Sequence, residues 1–405
     1  MAEVTQEREF DVVLFGATGF TGALTAEYLV RHTPDDCRWA VAGRDRGRLE
    51  ALRGRLAAIR PECAELPLLH ADAADAASMR ELAARARVVA TTVGPYIRYG
   101  APLVAACAAA GTDYVDLCGE PEFVDLMYLR YHFQARETGA RLVHACGFDS
   151  VPYDLGTQFT VERLPEGEPL RVAAYVRVHA AFSGGTYAST LFSVARSDRA
   201  QRTARERRTA DPRPAHRSVR TPLGRIGRTP AHTGLDAWAV PLPTIDPQIV
   251  GRSAAALERY GPRFSYSEYA ALPNLPLTVG AVAGAGAVAA AVRLPAARRF
   301  LLTRRTAGEG PGAERRARSW FTVRFSGEGG GRRVLTEVSG GDPGYDETSK
   351  ILAEAALCLA SDPLPAASGQ LTPAVAMGGA LRERLVAADL GFRVLAESEV
   401  QEPEV

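Results

Sequence analysis

Short apolar runs alternate with stretches of helical periodicity through the N-terminal third of the chain. Each apolar run ends in glycine or polar residues, as a buried strand does. Parallel strands need a crossover connection, so strict strand–helix alternation predicts an α/β fold with a doubly wound parallel sheet. The six predicted strands are DVVLFG, RWAVAGRD, LPLLHAD, RVVATTVGP, YVDLCGE and RLVHACGFDS.

The pattern changes after Phe148, where alternation of apolar and polar residues becomes typical of half-exposed strands. LRVAAYVRVHA, SWFTVRFSGEG and RRVLTEVSG have this pattern, and TYASTLFSVARS has the periodicity of a helix. These elements predict a second, α+β domain built on an antiparallel sheet. Further on, GYDETSKILAEAALCLA predicts an amphipathic helix, and the last residues predict a helix followed by a short strand.

Two stretches have unusual composition. The segment Leu275–Val292 has no charged residue over eighteen positions. Because Gly and Ala dominate it, we favour a buried helix of small residues over an acyl-chain or membrane-surface contact, and both over a membrane span. The arginine-rich segment 199–220 is interpreted as a solvated loop or helix end, with a docking patch for an acidic carrier protein as the alternative.

Three glycines follow the first strand at a spacing of three residues. In GATGFTG, the turn from strand to helix can direct free N–H groups at an anion. Gly16 permits the tight turn, Gly19 lets a pyrophosphate approach the backbone, and Gly22 lets the helix lie close to the strand. The sequence therefore predicts a dinucleotide-binding Rossmann domain, whose phosphate turn comprises Gly16, Ala17, Thr18, Gly19, Phe20, Thr21 and Gly22.

The second strand ends in AGRD, which indicates the type of dinucleotide. Folds specific for NAD place an acid here for the ribose hydroxyls, whereas Arg44 can bind a 2′-phosphate through paired hydrogen bonds. Asp45 is expected to cap the next helix, and Arg48 lies one turn later. We therefore predict NADPH as the cofactor. Asp72, after the third strand, either contacts the adenine amino group or stabilises a turn.

The fourth strand ends in TTVGPY, at the carboxyl edge of the sheet where ligands bind in open α/β folds. Gly94 and Pro95 are expected to pass beneath the nicotinamide ribose, with Thr92 and Tyr96 nearby. Asp149 and Ser150 follow the sixth strand, where they either cap the next helix or face the substrate.

Composition excludes several classes of function. Forty-eight basic and 47 acidic residues give a net charge of +1, so nothing predicts nucleic-acid binding. The cysteines and histidines lack metal-ligand spacing, and we predict no metal site. Scattered cysteines and a polar N-terminus, unlike a signal peptide, predict a cytoplasmic protein. We also expect a homo-oligomer.

Longer motifs resemble a known family. GATGFTG, AGRD, TTVGPYIRYGAPLVAACAAAGTDYVDLCGE and HACGFDSVPYDLG resemble the saccharopine dehydrogenase-like oxidoreductases. GEGPGAERRARSWFTVRFSGEG, GGDPGYDETSKILAEAALCLA and LTPAVAMGGALRERL are similar to those of the trans-acting enoyl reductases, which serve polyketide and lipid synthases that have no reductase domain of their own. The resemblance covers nearly the whole chain and is weakest near residues 199–235.

The resemblance implies three parts: an NADP-binding domain (1–155), a substrate domain (156–342) and a C-terminal segment (343–405) that packs back on the first. It implies NADPH-dependent reduction of the C=C bond of an α,β-unsaturated acyl thioester carried on CoA or an acyl carrier protein, with a polyketide synthase as a partner. Two alternatives stay open: a C–N oxidoreductase that reduces an imine, and a non-catalytic NADPH-binding protein.

Enoyl reduction needs a hydride, a hydrogen-bond donor at the thioester oxygen and a proton for the α-carbon. Tyrosine suits both of the last two roles, so Tyr96 is the first catalytic candidate, with simple stacking on the cofactor as the alternative. Asp149 is the second candidate. The glycine- and hydroxyl-rich segment 183–190 either holds a phosphopantetheine or thioester or starts a helix.

Overall fold

The computed structural model of the chain describes residues 8–180, 196–211, 216–292, 294 and 310–399. Two sheets are flanked and joined by helices. In the described residues the helices are α1 (Phe20–His32), α2 (Arg46–Ala57), α3 (Ala76–Arg85), α4 (Tyr96–Tyr99), α5 (Ala101–Ala110), α6 (Pro121–Thr138), α7 (Val151–Val161), α8 (Ser197–Ala210), α9 (Asp246–Ala256), α10 (Leu275–Val292), α11 (Ala313–Ala317), α12 (Asp346–Ser361), α13 (Pro373–Ala376) and α14 (Gly378–Ala387).

The first sheet is parallel and doubly wound, as the alternating pattern predicts. Its order is β14-β6-β5-β4-β1-β2-β3. Val12, Val13 and Leu14 of the central strand are fully buried, because helices cover both faces. Its strands are β1 (Phe10–Phe15), β2 (Trp39–Gly43), β3 (Leu68–His70), β4 (Ala86–Thr91), β5 (Asp113–Asp116), β6 (Arg141–Val143) and β14 (Gly369–Leu371).

The second sheet is mixed. Its order is β15-β13-β12-β7-β11-β10-β9, with β8 also beside β11. The predicted strands are confirmed, and the antiparallel prediction holds for β7, β12, β13 and β15. Strand β11, which the sequence pattern did not identify, runs parallel to β7, and a long crossover connects the two. The strands are β7 (Leu170–His179), β8 (Ser218–Arg220), β9 (Gly227–Arg228), β10 (Trp238–Pro241), β11 (Arg263–Leu272), β12 (Trp320–Gly329), β13 (Arg332–Gly340) and β15 (Gly391–Glu399).

Helix α7 joins the two sheets directly after β6. It packs on the second sheet so closely that a Cβ at Gly156 would lie 2.5 Å from the Phe325 ring. Phe148, just before α7, packs edge-on against Phe321 of β12 with ring centroids 4.8 Å apart. The end of β6 at the carboxyl edge of the first sheet therefore lies close to the second sheet.

The C-terminal segment contributes to both sheets. Helix α12 packs against α1 and the strands β1, β4 and β5. The sequence predicts an amphipathic helix, and the structure buries it along most of its length because the first sheet and α14 enclose it. Strand β14 extends the first sheet beside β6, and β15 pairs with β13 in the second. The helix and strand predicted at the C-terminal end are confirmed, although β15 spans nine residues.

Helix α10 forms where a helix was predicted, but the prediction that it is buried is wrong. Of its described side chains only Thr278 is buried, and Leu277 and Val279 are 50% and 59% exposed. Small side chains leave little apolar area for a core to cover, so composition alone does not decide burial. Among the described residues, no helix combines the length and the hydropathy that crossing a bilayer requires.

The first part of the arginine-rich segment, up to Ala210, belongs to the helix α8, and of its arginines only Arg207 is buried while the others are exposed, as a solvated helix end would be. It packs along α6, and the Arg207 guanidinium lies over the Tyr128 ring, 3.1 Å from its centroid. Arg207 also forms an ion pair with Asp211 at 3.0 Å. At least one of these arginines therefore stabilises the helix contact. The segment 183–190 lies outside the described residues. The helix predicted over TYASTLFSVARS also lies outside them, apart from Arg196 and Ser197.

Candidate active site

The glycine-rich turn leads from β1 into α1 and presents the start of the helix. The Gly19 N–H donates to the Gly16 carbonyl at 3.0 Å, and Gly19 caps the helix without a side-chain hydrogen bond. The first turn contains no acidic residue. Free N–H groups and the positive end of the helix dipole therefore remain for an anionic ligand.

Two of the glycines are required sterically. Gly16 has φ +87°, a conformation that residues with a Cβ rarely adopt. A Cβ on Gly22 would lie 2.2 Å from the Gly16 carbonyl oxygen. This turn fits the pyrophosphate of a dinucleotide, because it leaves room for a ligand where side chains would otherwise stand.

The end of β2 supplies the charge for a 2′-phosphate. Asp45 caps α2 by accepting from the Arg48 N–H at 3.0 Å, as the sequence predicts. The Arg48 guanidinium donates to the Thr18 carbonyl at 3.0 Å, which places it beside the phosphate turn. Arg44 is exposed, and among the described residues its guanidinium has no hydrogen bond or ion pair. One oxygen of Asp72 accepts from the Ala74 N–H at 3.0 Å in a turn, so its adenine contact stays a prediction.

We expect Arg44→Gln to reduce the affinity for NADPH by about 10- to 100-fold, which corresponds to losing one or two charge-assisted hydrogen bonds. Affinity for NADH should change less than about twofold, since NADH lacks the phosphate. Titration calorimetry with both dinucleotides measures this. The matched control is Arg46→Gln, which removes an exposed arginine paired with Glu50 on the same helix. Equal losses for NADPH and NADH would contradict the assignment.

The residues after β4 line the next part of the carboxyl edge. Thr92 donates through Oγ1 to the Gly16 carbonyl at 3.1 Å, which connects this loop to the phosphate turn. Gly94 and Pro95 follow, joined by a cis peptide bond. Glu120, after β5, accepts from the N–H groups of Tyr96 and Ile97, both at 2.9 Å, and so fixes the loop.

Tyr96 itself lies in the core. Its hydroxyl donates to the Thr91 carbonyl at 3.1 Å and accepts from the Leu117 N–H at 3.1 Å. Burial, with Asp116 adding to it, raises the pKa of this phenol well above its usual range. This arrangement favours a role in holding the two loops together. The catalytic role of Tyr96 stays a prediction.

Pattern reasoning missed a buried His–Asp pair at the ends of two adjacent strands. His144 Nδ1 lies 2.7 Å from an Asp116 carboxylate oxygen. Asp116 also accepts from the Tyr114 hydroxyl at 2.8 Å and from the N–H groups of Cys118 and Ala145. This network orders the loops after β5 and β6. Polar residues directly after buried strands are the signal that could have identified it.

Three carboxyl groups meet where the two sheets face each other. Asp246, at the start of α9, is buried and accepts from the Ser150 hydroxyl at 2.8 Å. Glu268 of β11 is also buried and accepts from the Thr244 hydroxyl at 3.2 Å. Asp149 is half-buried, and its Oδ2 would lie 3.3 Å from a Cβ on Gly119. Neither Asp149 nor Ser150 caps α7 through its side chain.

The protonation of this cluster differs from that of surface acids. Burial, with the neighbouring Asp149 carboxyl, raises the pKa of Asp246 to about 7. Burial also raises the pKa of Asp149, and burial with Asp246 raises that of Glu268 well above its usual range. Like charges this close cannot all ionise, so the cluster retains a proton near neutral pH.

Tyr153 of α7 faces the same three carboxyl groups. It is 3% exposed, and among the described residues its hydroxyl has no hydrogen-bond partner. Burial, then Glu268, Asp246 and Asp149, raise its pKa well above the usual range for a phenol. An unused donor beside a protonated carboxyl cluster can bind and protonate a carbonyl compound.

The C-terminal part of the chain reaches the phosphate turn from the other side. The Tyr345 ring packs edge-on against Phe20, with centroids 4.7 Å apart. Ser349 donates to the Thr21 carbonyl at 3.3 Å. Arg316 forms an ion pair with Asp346 at 2.8 Å. Its guanidinium lies over the Phe20 ring, 5.6 Å from the ring centroid. Residues from the C-terminal part of the chain thus contact one side of the start of α1.

Comparison with known proteins agrees with this geometry. Residues 12–143 match the family model of the saccharopine dehydrogenase NADP binding domain. A provisional trans-acting enoyl reductase of Mycobacterium tuberculosis H37Rv is 43% identical over 95% of this chain and 97% of its own length. The chain belongs to the saccharopine dehydrogenase-like oxidoreductases. A trans-acting enoyl reductase of Mycobacterium bovis BCG is 39% identical over 94% of this chain and 96% of its own.

A solved structure shares the fold. Saccharopine dehydrogenase (L-Glu forming) of Saccharomyces cerevisiae covers 95% of this chain and 99% of its own, with a TM-score of 0.54 and 12% identity. As a member of the family, the chain is an NADPH-dependent oxidoreductase, which confirms the predictions of the enzyme class and of the cofactor. The residues that contact NADPH stay predictions.

Proposed function

We propose that the chain is a trans-acting enoyl reductase that reduces the C=C bond of an α,β-unsaturated acyl thioester in polyketide or lipid biosynthesis. One observation carries this proposal: over nearly its full length the chain is similar to relatives named trans-acting enoyl reductases. The substrate is an acyl chain on CoA or on the carrier protein of a synthase.

NADPH, when bound, supplies a hydride to the β-carbon of the enoyl group. The electron pair of the C=C bond then moves toward the thioester oxygen, where negative charge develops. We assign the Tyr153 hydroxyl as the hydrogen-bond donor to that oxygen, because it has no other partner among the described residues. Asp149 delivers the proton to the α-carbon, and Asp246 with Glu268 restores it.

The carboxyl cluster also bears on the alternative C–N reaction. An imine derived from an amino acid carries a carboxylate, which the ionised part of this carboxyl cluster would repel. A neutral thioester avoids this repulsion. The cluster therefore favours the enoyl substrate over an amino-acid-derived imine.

We expect the purified chain to oxidise NADPH in the presence of crotonyl-CoA or a longer enoyl-CoA, with the saturated thioester as product. Absorbance of NADPH and mass spectrometry of the acyl product measure the reaction. A 2-oxo acid with an amine is the comparison substrate for the C–N reaction and should give no turnover. Turnover with this pair alone would contradict the proposal, and NADPH binding without turnover of either substrate would favour a non-catalytic protein.

A further inference from the structure

Helix α10 presents an apolar surface that the protein body does not cover. Among the described elements it packs beside β10 and β11, and its start is fixed by Asn274, whose side chain accepts from the Leu277 N–H at 2.9 Å. Beyond Thr278 nearly every described side chain is exposed. The helix has no charged residue, which is unusual for a surface that faces water.

The exposed apolar side chains lie on opposite sides of the helix. At 3.6 residues per turn, Leu275, Val279 and Val282 share one side, whereas Leu277 and Val288 lie on the other. All five are at least 36% exposed. The groove of a protein partner would cover one side and leave the other in water. The acyl chains of a lipid bilayer can cover both sides of the helix at once.

The sequence that follows the helix supplies a complementary charge. Residues 293–305 contain five arginines and no acidic residue. A basic segment next to an apolar helix is typical of binding to anionic lipid headgroups. The same charges on a second copy of the chain would repel one another, which disfavours self-association through this helix.

We propose that α10 docks the protein on an anionic lipid bilayer. The apolar helix enters the boundary between headgroups and acyl chains. This docking does not depend on the proposed reaction. It would hold the enzyme at a membrane surface, where long acyl chains are also found.

Flotation with vesicles tests this proposal on the full-length protein. We expect the protein to float with vesicles of phosphatidylglycerol and phosphatidylcholine at least tenfold more than with phosphatidylcholine alone. The double variant Val279→Glu, Val282→Glu should lose at least tenfold of this binding. Val386→Glu is the matched control, because Val386 is 50% exposed on α14, away from α10, and this variant should bind like the wild type.

NADPH titration and thermal melting show whether each variant is folded, because the substituted side chains are already exposed. Three results would overturn the proposal: no binding to either vesicle, equal binding to both vesicles, or equal loss in the control variant. A helix-dependent dimer in sedimentation experiments without vesicle binding would instead identify a second copy as the occupant.

Discussion

Replacing Gly22 with alanine is expected to abolish measurable NADPH binding and to destabilise the fold. The new Cβ would lie 2.2 Å from the Gly16 carbonyl oxygen and 2.9 Å from the Ala17 Cα. Both neighbours are backbone atoms, so α1 must move away from β1 to relieve the clash. Such overpacking costs about 1–3 kcal/mol of unfolding free energy, and the displaced helix start no longer directs its N–H groups at a pyrophosphate.

NADPH titration by fluorescence and urea unfolding measure the two effects of Gly22→Ala separately. Gly54→Ala is the matched control, since a Cβ on Gly54 of α2 has no atom within 4 Å. Alanine in a helix interior is about 0.8–1 kcal/mol better than glycine, so this control should be more stable and should bind NADPH normally. Normal NADPH affinity in Gly22→Ala would show that the turn is not the phosphate site.

The NADPH-binding domain is the part of the fold that the sequence predicts best, because its signals are local. A glycine turn, an arginine after the next strand and a strand–helix alternation each lie within a few residues of one another. The capping role of Asp45 follows from the same kind of local pattern and is confirmed. The seventh strand, β14, escapes prediction because three residues have no detectable periodicity.

The catalytic part of the site depends on contacts between residues far apart in the chain. Asp246 and Glu268 join Asp149 only because the crossover after β7 brings α9 and β11 beside the end of β6. No local sequence motif predicts such a cluster. The two backbone groups that bind the Tyr96 hydroxyl likewise depend on the folded loops, and the sequence does not indicate them.

Helix α10 is a case in which the sequence predicts the element but not its burial. Its helical periodicity and lack of charge are plain in the sequence, but the sequence does not say what surrounds it. Burial depends on whether another element packs over the helix, and in the described part of the chain most side chains of α10 are exposed. Composition therefore predicts the element and not its environment.

Asp149→Asn is expected to lower kcat by about 10²- to 10³-fold, the usual cost of removing a general acid. NADPH affinity should change less than about twofold, because the proposed role is limited to the proton. In the wild type, kcat should fall as pH rises through about 7, since the cluster donates in its protonated form and the pKa of Asp246 is raised to about 7. In Asp149→Asn, the loss of residual activity with rising pH should begin at a lower pH than in the wild type, because Asp149 no longer raises the pKa of Asp246.

Steady-state rates with an enoyl thioester across pH 5 to 9, a range of about two units on each side of the Asp246 pKa, measure this prediction. Asp236→Asn is the matched control: Asp236 is exposed, pairs with Arg228, and should keep the wild-type rate and profile. Asp246→Asn keeps an oxygen that can accept from Ser150, so it tests the restoring group without leaving that hydroxyl unpaired. A wild-type pH profile in both cluster variants would place the proton donor outside the cluster, and unchanged turnover in Asp149→Asn would exclude this carboxyl from the reaction.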